Sequence, residues 1–194
     1  MTRSPSGLIT LTTDFGLDDS YVGVLKGVML ALGAQLRFVD LTHAIGPQDL
    51  WAGRYHLGQA VPMFPPGTVH LAVVDPGVGG ARRGVAIAYD RAGDRAGEPG
   101  WLVGPDNGLF SAVLEHYPVQ AAVQLNRPAY WRRGMVGPAS ATFHGRDIFA
   151  PVAAQLALGV DLVELGEAVD PAGLVRLALP SWSWGEAVRG GQWG

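Results

Sequence analysis

The β-branched run Leu8-Ile9-Thr10-Leu11-Thr12-Thr13 is followed by a helix-compatible stretch from Tyr21 to Leu32 and then by a second run, Leu36-Arg37-Phe38-Val39-Asp40-Leu41. Strand, helix and strand at this spacing form a βαβ unit, which commits a chain to a sheet with parallel neighbours and helices packed on it. Asp18-Asp19-Ser20 stands where the helix needs capping groups, and Gly33 follows it. The alternation continues with a helix over Pro47 to Val61 and a buried strand over Thr68 to Val74. Gly84 to Tyr89 and Trp101 to Val103 read as a hairpin across the polar loop Arg91 to Pro99. A short helix over Leu109 to His116, a strand over Val119 to Leu125 and a last helix from Gly145 through Leu158 complete the pattern. The predicted fold is an α/β sandwich with a mostly parallel central sheet.

The 28 glycines and 14 prolines imply many tight turns. With 48% hydrophobic and 16% charged residues in 194, the chain can bury a core and is not of disordered composition. A net charge of −3, with Lys26 the only lysine, argues against a protein held on nucleic acid by bulk charge. No apolar run approaches the roughly 20 residues that span a bilayer, and residues 1–7 lack the apolar core of a signal peptide. A cytoplasmic protein is expected. The absence of cysteine excludes disulfides and thiolate catalysis. Beyond Val169 the character changes: Asp170-Pro171-Ala172-Gly173 reads as a linker, followed by Trp182 and Trp184 in a segment too short for a second core.

In open α/β sheets ligands bind beyond the carboxyl ends of the strands. Four polar clusters fall at such ends: Thr12-Thr13-Asp14-Phe15-Gly16, Asp40-Leu41-Thr42-His43, Asp75-Pro76-Gly77-Val78-Gly79-Gly80 and Gly104-Pro105-Asp106-Asn107-Gly108. A fifth, Thr142-Phe143-His144-Gly145-Arg146-Asp147, precedes the last helix. Carboxylates at strand ends suit hydroxyl-rich ligands, because they accept from a vicinal diol; each acid also reads as an ordinary cap or turn former. The Asp75 cluster lacks the Gly-Lys-Ser/Thr ending of a phosphate loop. His43, His56, His70, His116 and His144 show no metal-ligand spacing; His56 and His116 fall on helix surfaces and His70 in a strand. No Gly-x-Ser-x-Gly elbow is present, and Ser140 and Thr142 are binding candidates rather than nucleophiles.

Five such motifs in this order resemble the S-adenosylmethionine (SAM) hydroxide adenosyltransferases, relatives of the SAM-dependent fluorinase and chlorinase. The first is Thr12–Gly16 and the second Asp19-Ser20-Tyr21-Val22-Gly23 with Lys26-Gly27. Val74–Gly79 with Arg82, Gly104–Gly108 and Phe143–Asp147 follow, and the likeness covers about residues 8 to 168. The resemblance implies cleavage of SAM at C5′ by water to adenosine and methionine, without a metal or separate cofactor. It implies Asp75, Arg82 and His144 as catalytic residues. Asp14, Phe15, Asp19, Gln48, Asp106, Asn107, Phe143 and Gly145 are implied as substrate-binding, with Asp14 on the ribose hydroxyls. Gln48 stands where the fluorinase has a ribose-packing tryptophan.

The family forms homotrimers with active sites between the N-terminal domain of one subunit and the β-rich C-terminal domain of the next. On that pattern residues 1–169 are the SAM-binding domain, and residues 170–194 are a linker and the start of a truncated C-terminal domain. Two other functions compete: a halide adenosyltransferase, disfavoured by Asp75 and His144, and a binding-only remnant without turnover.

Overall fold

In β1 (Leu8–Thr13) Ile9 to Thr13 are all buried, because the strand is covered on both faces. The computed structural model describes residues 6–91, 99–132 and 139–178. After β1 come α1 (Tyr21–Leu30), β2 (Arg37–Thr42), α2 (Leu50–Ala60), β3 (Val69–Val73), β4 (Gly84–Asp90), β5 (Pro99–Pro105), α3 (Ser111–His116) and β6 (Val119–Gln124). A π-helical turn (Gly145–Phe149), α4 (Ala150–Ala157) and β7 (Glu167–Ala168) follow. Among the described residues the strands form one seven-stranded sheet in the order β2-β1-β3-β5-β4-β6-β7. The pairs β1–β2, β1–β3 and β3–β5 are parallel; β4–β5, β4–β6 and β6–β7 are antiparallel. Five of the seven strands therefore run in one direction, and the expected mostly parallel sheet is present with β4 and β7 reversed. The β4–β5 hairpin is there as expected, although residues 92–98 of its connection lie outside the described residues, as do Trp182 and Trp184.

Side chains alternate across the sheet and divide the core in two. Ile9, Leu11, Val69, Leu71 and Val73 pack with Leu25 and Met29 of α1 and Val152 and Leu156 of α4. Ala72, Val85, Ile87 and Leu102 face the other way, with Leu57 of α2 and Val113 of α3. On that second face β1 and β3 present Thr10 and His70, both fully buried, with Thr10 Oγ1 2.8 Å from His70 Nδ1. Burial, followed by the charge of Arg91, pulls the His70 imidazole down to a pKa of about 3. Among the described residues no helix is long and apolar enough to cross a membrane.

Three local expectations change for identifiable reasons. Ser20 precedes α1 in helical backbone and makes no side-chain cap. The second helix starts at Leu50 rather than Pro47, because Gln48 adopts a left-handed φ of 65° and Asp49 becomes the cap, accepting from Ala52 N at 3.0 Å. The last helix opens with a π turn. Pro151 has no N–H to give the carbonyl of Asp147, and that carbonyl instead accepts from Arg132 N at 2.9 Å.

Residues 170–173, read as a linker, and residues 174–177 after them lie against the domain. Leu174 is buried, Arg83 Nη2 donates to Gly173 O (2.5 Å), Val175 N to Asp106 Oδ1 (2.8 Å) and Leu177 N to Ser111 Oγ (2.7 Å). At the carboxyl edge of the sheet, Gly79 has a φ of 75°, and a Cβ there would lie 2.2 Å from the carbonyl oxygen of Ala141. The turn after β3 and the segment before the π turn are thus in backbone contact that only glycine permits.

Two outcomes follow. Gly79→Ala should lower stability by about 1–3 kcal/mol, read from the urea midpoint. His70 stays neutral in the folded state while an unfolded histidine protonates near about pH 6.5. The unfolded state therefore binds the extra proton, and stability should fall as pH drops from there toward 3, by at most about 1.4 kcal/mol per pH unit. Thermal melts across that range should show a shallower fall for His70→Asn.

Candidate active site

The order β2-β1-β3 makes the β1–β3 boundary a switch point, where the chain passes from one side of β1 to the other. A cleft of about 230 Å³ opens there at the carboxyl ends of the strands. Asp14, Phe15, Gln48, Asp75, Phe143, His144 and Gly145 line it, together with Pro47, Val73, Val78 and Thr142. Eight of the residues singled out in the sequence, Thr142 among them, thus meet in one depression. Pro47, Val73 and Val78 carry no chemical signal in the sequence and enter by position alone.

Arg82 ties the acid–base groups together. Its Nε donates to Asp75 Oδ1 at 2.8 Å, its Nη2 pairs with Asp75 Oδ2, and the same Nη2 lies 2.9 Å from His144 Nδ1. A guanidinium has donors only, so His144 Nδ1 is the acceptor and the neutral ring carries its proton on Nε2. The side chains of Asp75 and Arg82 are 6% and 12% exposed, and the Arg82 guanidinium lies 5.1 Å over the Phe149 ring. Burial and the Arg82 charge hold the His144 imidazole below its ordinary range, against opposing pulls from Asp75 and Asp147. The result is a carboxylate and a neutral imidazole joined through one permanent cation.

Asp14 faces this group from β1. Its Oδ2 accepts from Gln48 N at 2.8 Å, which accounts for the left-handed backbone at Gln48. The turn that carries Asp14 and Phe15 is held from below: Thr13 Oγ1 accepts from Phe15 N (3.2 Å) and lies 2.8 Å from His43 Nδ1, while Gly16 N donates to His43 O (2.8 Å). His43 is 3% exposed, its Nε2 lies 3.1 Å from Asp40 Oδ1, and Lys26 takes Asp40 Oδ2 at 2.6 Å. The Asp40–His43 cluster is therefore a support beneath the cleft. Phe15, Tyr21 and Phe143 stack edge to face with centroids 5.3–6.1 Å apart. A Cβ on Gly145 would come within 3.2 Å of the Phe15 ring, so the residue at that position sets how closely the aromatics approach.

Three expected binding residues lie outside the cleft lining. Asp19 is exposed in the turn before α1. Asp106 is 7% exposed and occupied by Arg83 (2.6 and 3.0 Å) and Val175 N. Asn107 donates to Val74 O (2.9 Å) and accepts from Leu109 N (3.2 Å), fixing the end of β3 beside Asp75. The sequence places both residues at a strand end, as found, but all their partners except Leu109 come from segments far along the chain.

Residues 9–166 match the family described as SAM hydroxide adenosyltransferase N-terminal domain. The chain is 50% identical over 178 residues to an (R)-S-adenosyl-L-methionine hydrolase of Salinispora tropica, covering 91% of this chain and 63% of that protein. It is 46% identical over 171 residues to the hydrolase of that name from Thermus thermophilus, covering 86% and 63%. A fluorinase of Actinoplanes sp. is more distant, 27% identical over 195 residues and covering 93% and 64%. The crystal structure of an uncharacterized conserved protein from Thermotoga maritima superposes with a TM-score of 0.81 at 34% identity, covering 89% of this chain and 61% of that one. The chain thus spans less than two thirds of the length of the hydrolases it matches. With its motifs in order and residues 9–166 matched, the chain belongs to the SAM hydroxide adenosyltransferase N-terminal domain family.

Proposed function

We propose that this protein hydrolyses SAM at C5′, giving adenosine and methionine, with Asp75, Arg82 and His144 as its catalytic residues. The observation that carries the reading is the Arg82 guanidinium shared between Asp75 and His144 in a cleft that Asp14 faces from the neighbouring strand. The hydrolase names of the relatives at 46–50% identity support it.

In this reaction the water oxygen bonds to C5′ as the C5′–S bond breaks, and the bonding pair leaves on sulfur. The sulfonium becomes a neutral thioether, so the leaving group needs no acid. The demand falls on the nucleophile, which must be oriented and lose a proton. His144 presents Nε2–H as a donor to the water oxygen, Asp75 takes the proton and returns it to solvent, and Arg82 fixes both. Asp14 accepts from the ribose diol, Phe15, Gln48, Phe143 and Gly145 shape the pocket around the nucleoside, and Asp19 offers a polar contact at its mouth. Asp106 and Asn107 contribute as supports of the β3 and β5 ends. A halide would meet the Asp75 carboxylate at the position of the attacking atom, which favours water.

A cleft of about 230 Å³ is smaller than the roughly 300–1,000 Å³ of sites that enclose a ligand. This fits a site completed by another part of the assembly. We infer a homotrimer with sites at subunit boundaries; the apolar side chains that α1 leaves partly exposed, Tyr21, Val24 and Leu30, offer surface for such contacts. A cytoplasmic setting follows from the substrate, a metabolite made and used inside cells.

The first test incubates the protein with SAM in chloride buffer made with ¹⁸O water and identifies the nucleoside by mass spectrometry. Labelled adenosine is expected; a chlorinated nucleoside or unconsumed SAM would overturn the reading. Asp75→Ala should lower kcat about 10²–10⁴-fold with KM little changed. Protonated His144 would point an N–H at Arg82, so kcat/KM should rise with pH through a midpoint below about 6.5, a limb that His144→Gln should remove.

A further inference from the structure

Asp147 is 1% exposed and does not line the cleft, yet its carboxylate takes hydrogen bonds from three separate parts of the chain. Oδ1 accepts from Arg132 Nε and Arg146 Nε, each at 2.7 Å; Oδ2 accepts from Ser140 N and Arg146 Nη2, each at 2.9 Å. A charge buried this far is costly unless its bonds are complete, and here each oxygen has two donors. Those bonds close a loop around His144. Ser140 N is fastened to the carboxylate at one end, and at the other Asp147 N donates to Phe143 O at 3.2 Å, with His144 between the two anchors. Arg132 N, bonded to the carbonyl of Asp147, fixes the π turn that starts immediately after His144.

We propose that Asp147 is the positioning residue of this site, holding the 140–144 loop so that His144 Nδ1 stays on Arg82. The loop cannot swing away from Arg82 without taking a backbone N–H off a buried carboxylate. Only the kinetic part of this inference rests on the SAM hydrolase reading; the geometric part concerns the imidazole alone.

Positioning and simple electrostatics make opposite predictions. The charged groups facing His144 are Arg82, Asp75 and Asp147, with the Phe149 ring packed edge-on at 6.4 Å. If Asp147 acted only as a nearby negative charge, removing it would lower the His144 midpoint further. If it holds the loop, removing it lets the imidazole leave Arg82 and its sheltered place, and the midpoint rises toward about 6.5.

The experiment is an NMR titration of the histidine rings in the full-length protein, with His144 assigned by its loss in His144→Gln. Asp147→Asn removes the charge at constant shape; Asp147→Glu keeps the charge on a side chain too long for the site. Both should raise the His144 midpoint and lower kcat about 10²-fold, with KM changed less than kcat. A midpoint that falls in Asp147→Asn, or stays unmoved in Asp147→Glu, overturns the proposal. Should neither variant fold, Arg146→Met takes two bonds from the carboxylate at a side chain 30% exposed and should raise the midpoint by less; no rise there overturns it equally. If the parent protein leaves SAM intact, the titration still decides the role of Asp147, so the two failures remain separate.

Discussion

A guanidinium cannot give up its charge at any pH a folded protein meets, and Arg82 uses that permanence in two directions. Toward Asp75 it makes a two-point pair that fixes the plane of the carboxylate; toward His144 it offers an N–H that the ring can meet only with a lone pair. The protonation state of the imidazole is thereby written into the arrangement rather than left to solvent. Much of the surrounding architecture serves this contact. β3 delivers Asp75, the Gly77–Gly80 turn lets the chain double back so that Arg82 reaches it, and the π turn brings His144 from the far end of the sequence.

The support beneath the cleft repeats one device. Asp147 holds the His144 loop, Asp40 and His43 hold the Asp14 turn, and Asn107 holds the end of β3. Asp147 and His43 are buried and Asn107 half-buried, and each bonds the chain close to a residue that lines the cleft. Buried polar groups of this kind keep geometry at some cost in stability, because each must stay bonded to be tolerated.

The inner strands β1, β3, β4 and β5 were legible because burial on both faces writes continuous apolar runs, while the two exposed residues of β7 gave no such signal; the glycine- and acid-rich clusters at the strand ends marked the edge where the cleft lies. The joining of Asp75, Arg82 and His144 was legible through motif order, since Asp75 and Arg82 are close in sequence and His144 sits in a cluster of its own. What escaped depended on distant partners. The start of α2 is displaced because Gln48 gives its N–H to Asp14, thirty-four residues earlier. The π turn exists because Arg132 takes a carbonyl that Pro151 leaves free. The oxygens of Asp106 are filled by Arg83 and by Val175, two residues past the stretch read as a linker. No local pattern encodes such pairings.

The contact of Gly79 with the carbonyl of Ala141 also bears on how members of this family can diverge. The turn carrying Asp75 and the loop carrying His144 touch through main chain, with no side chain between them to absorb a change in length or path. They must therefore be inherited as a pair. An insertion, or a turn borrowed from a distant relative, will seat only if the partner loop comes with it. Changes of chemistry in this scaffold should accordingly travel by matched loops more readily than by single substitutions.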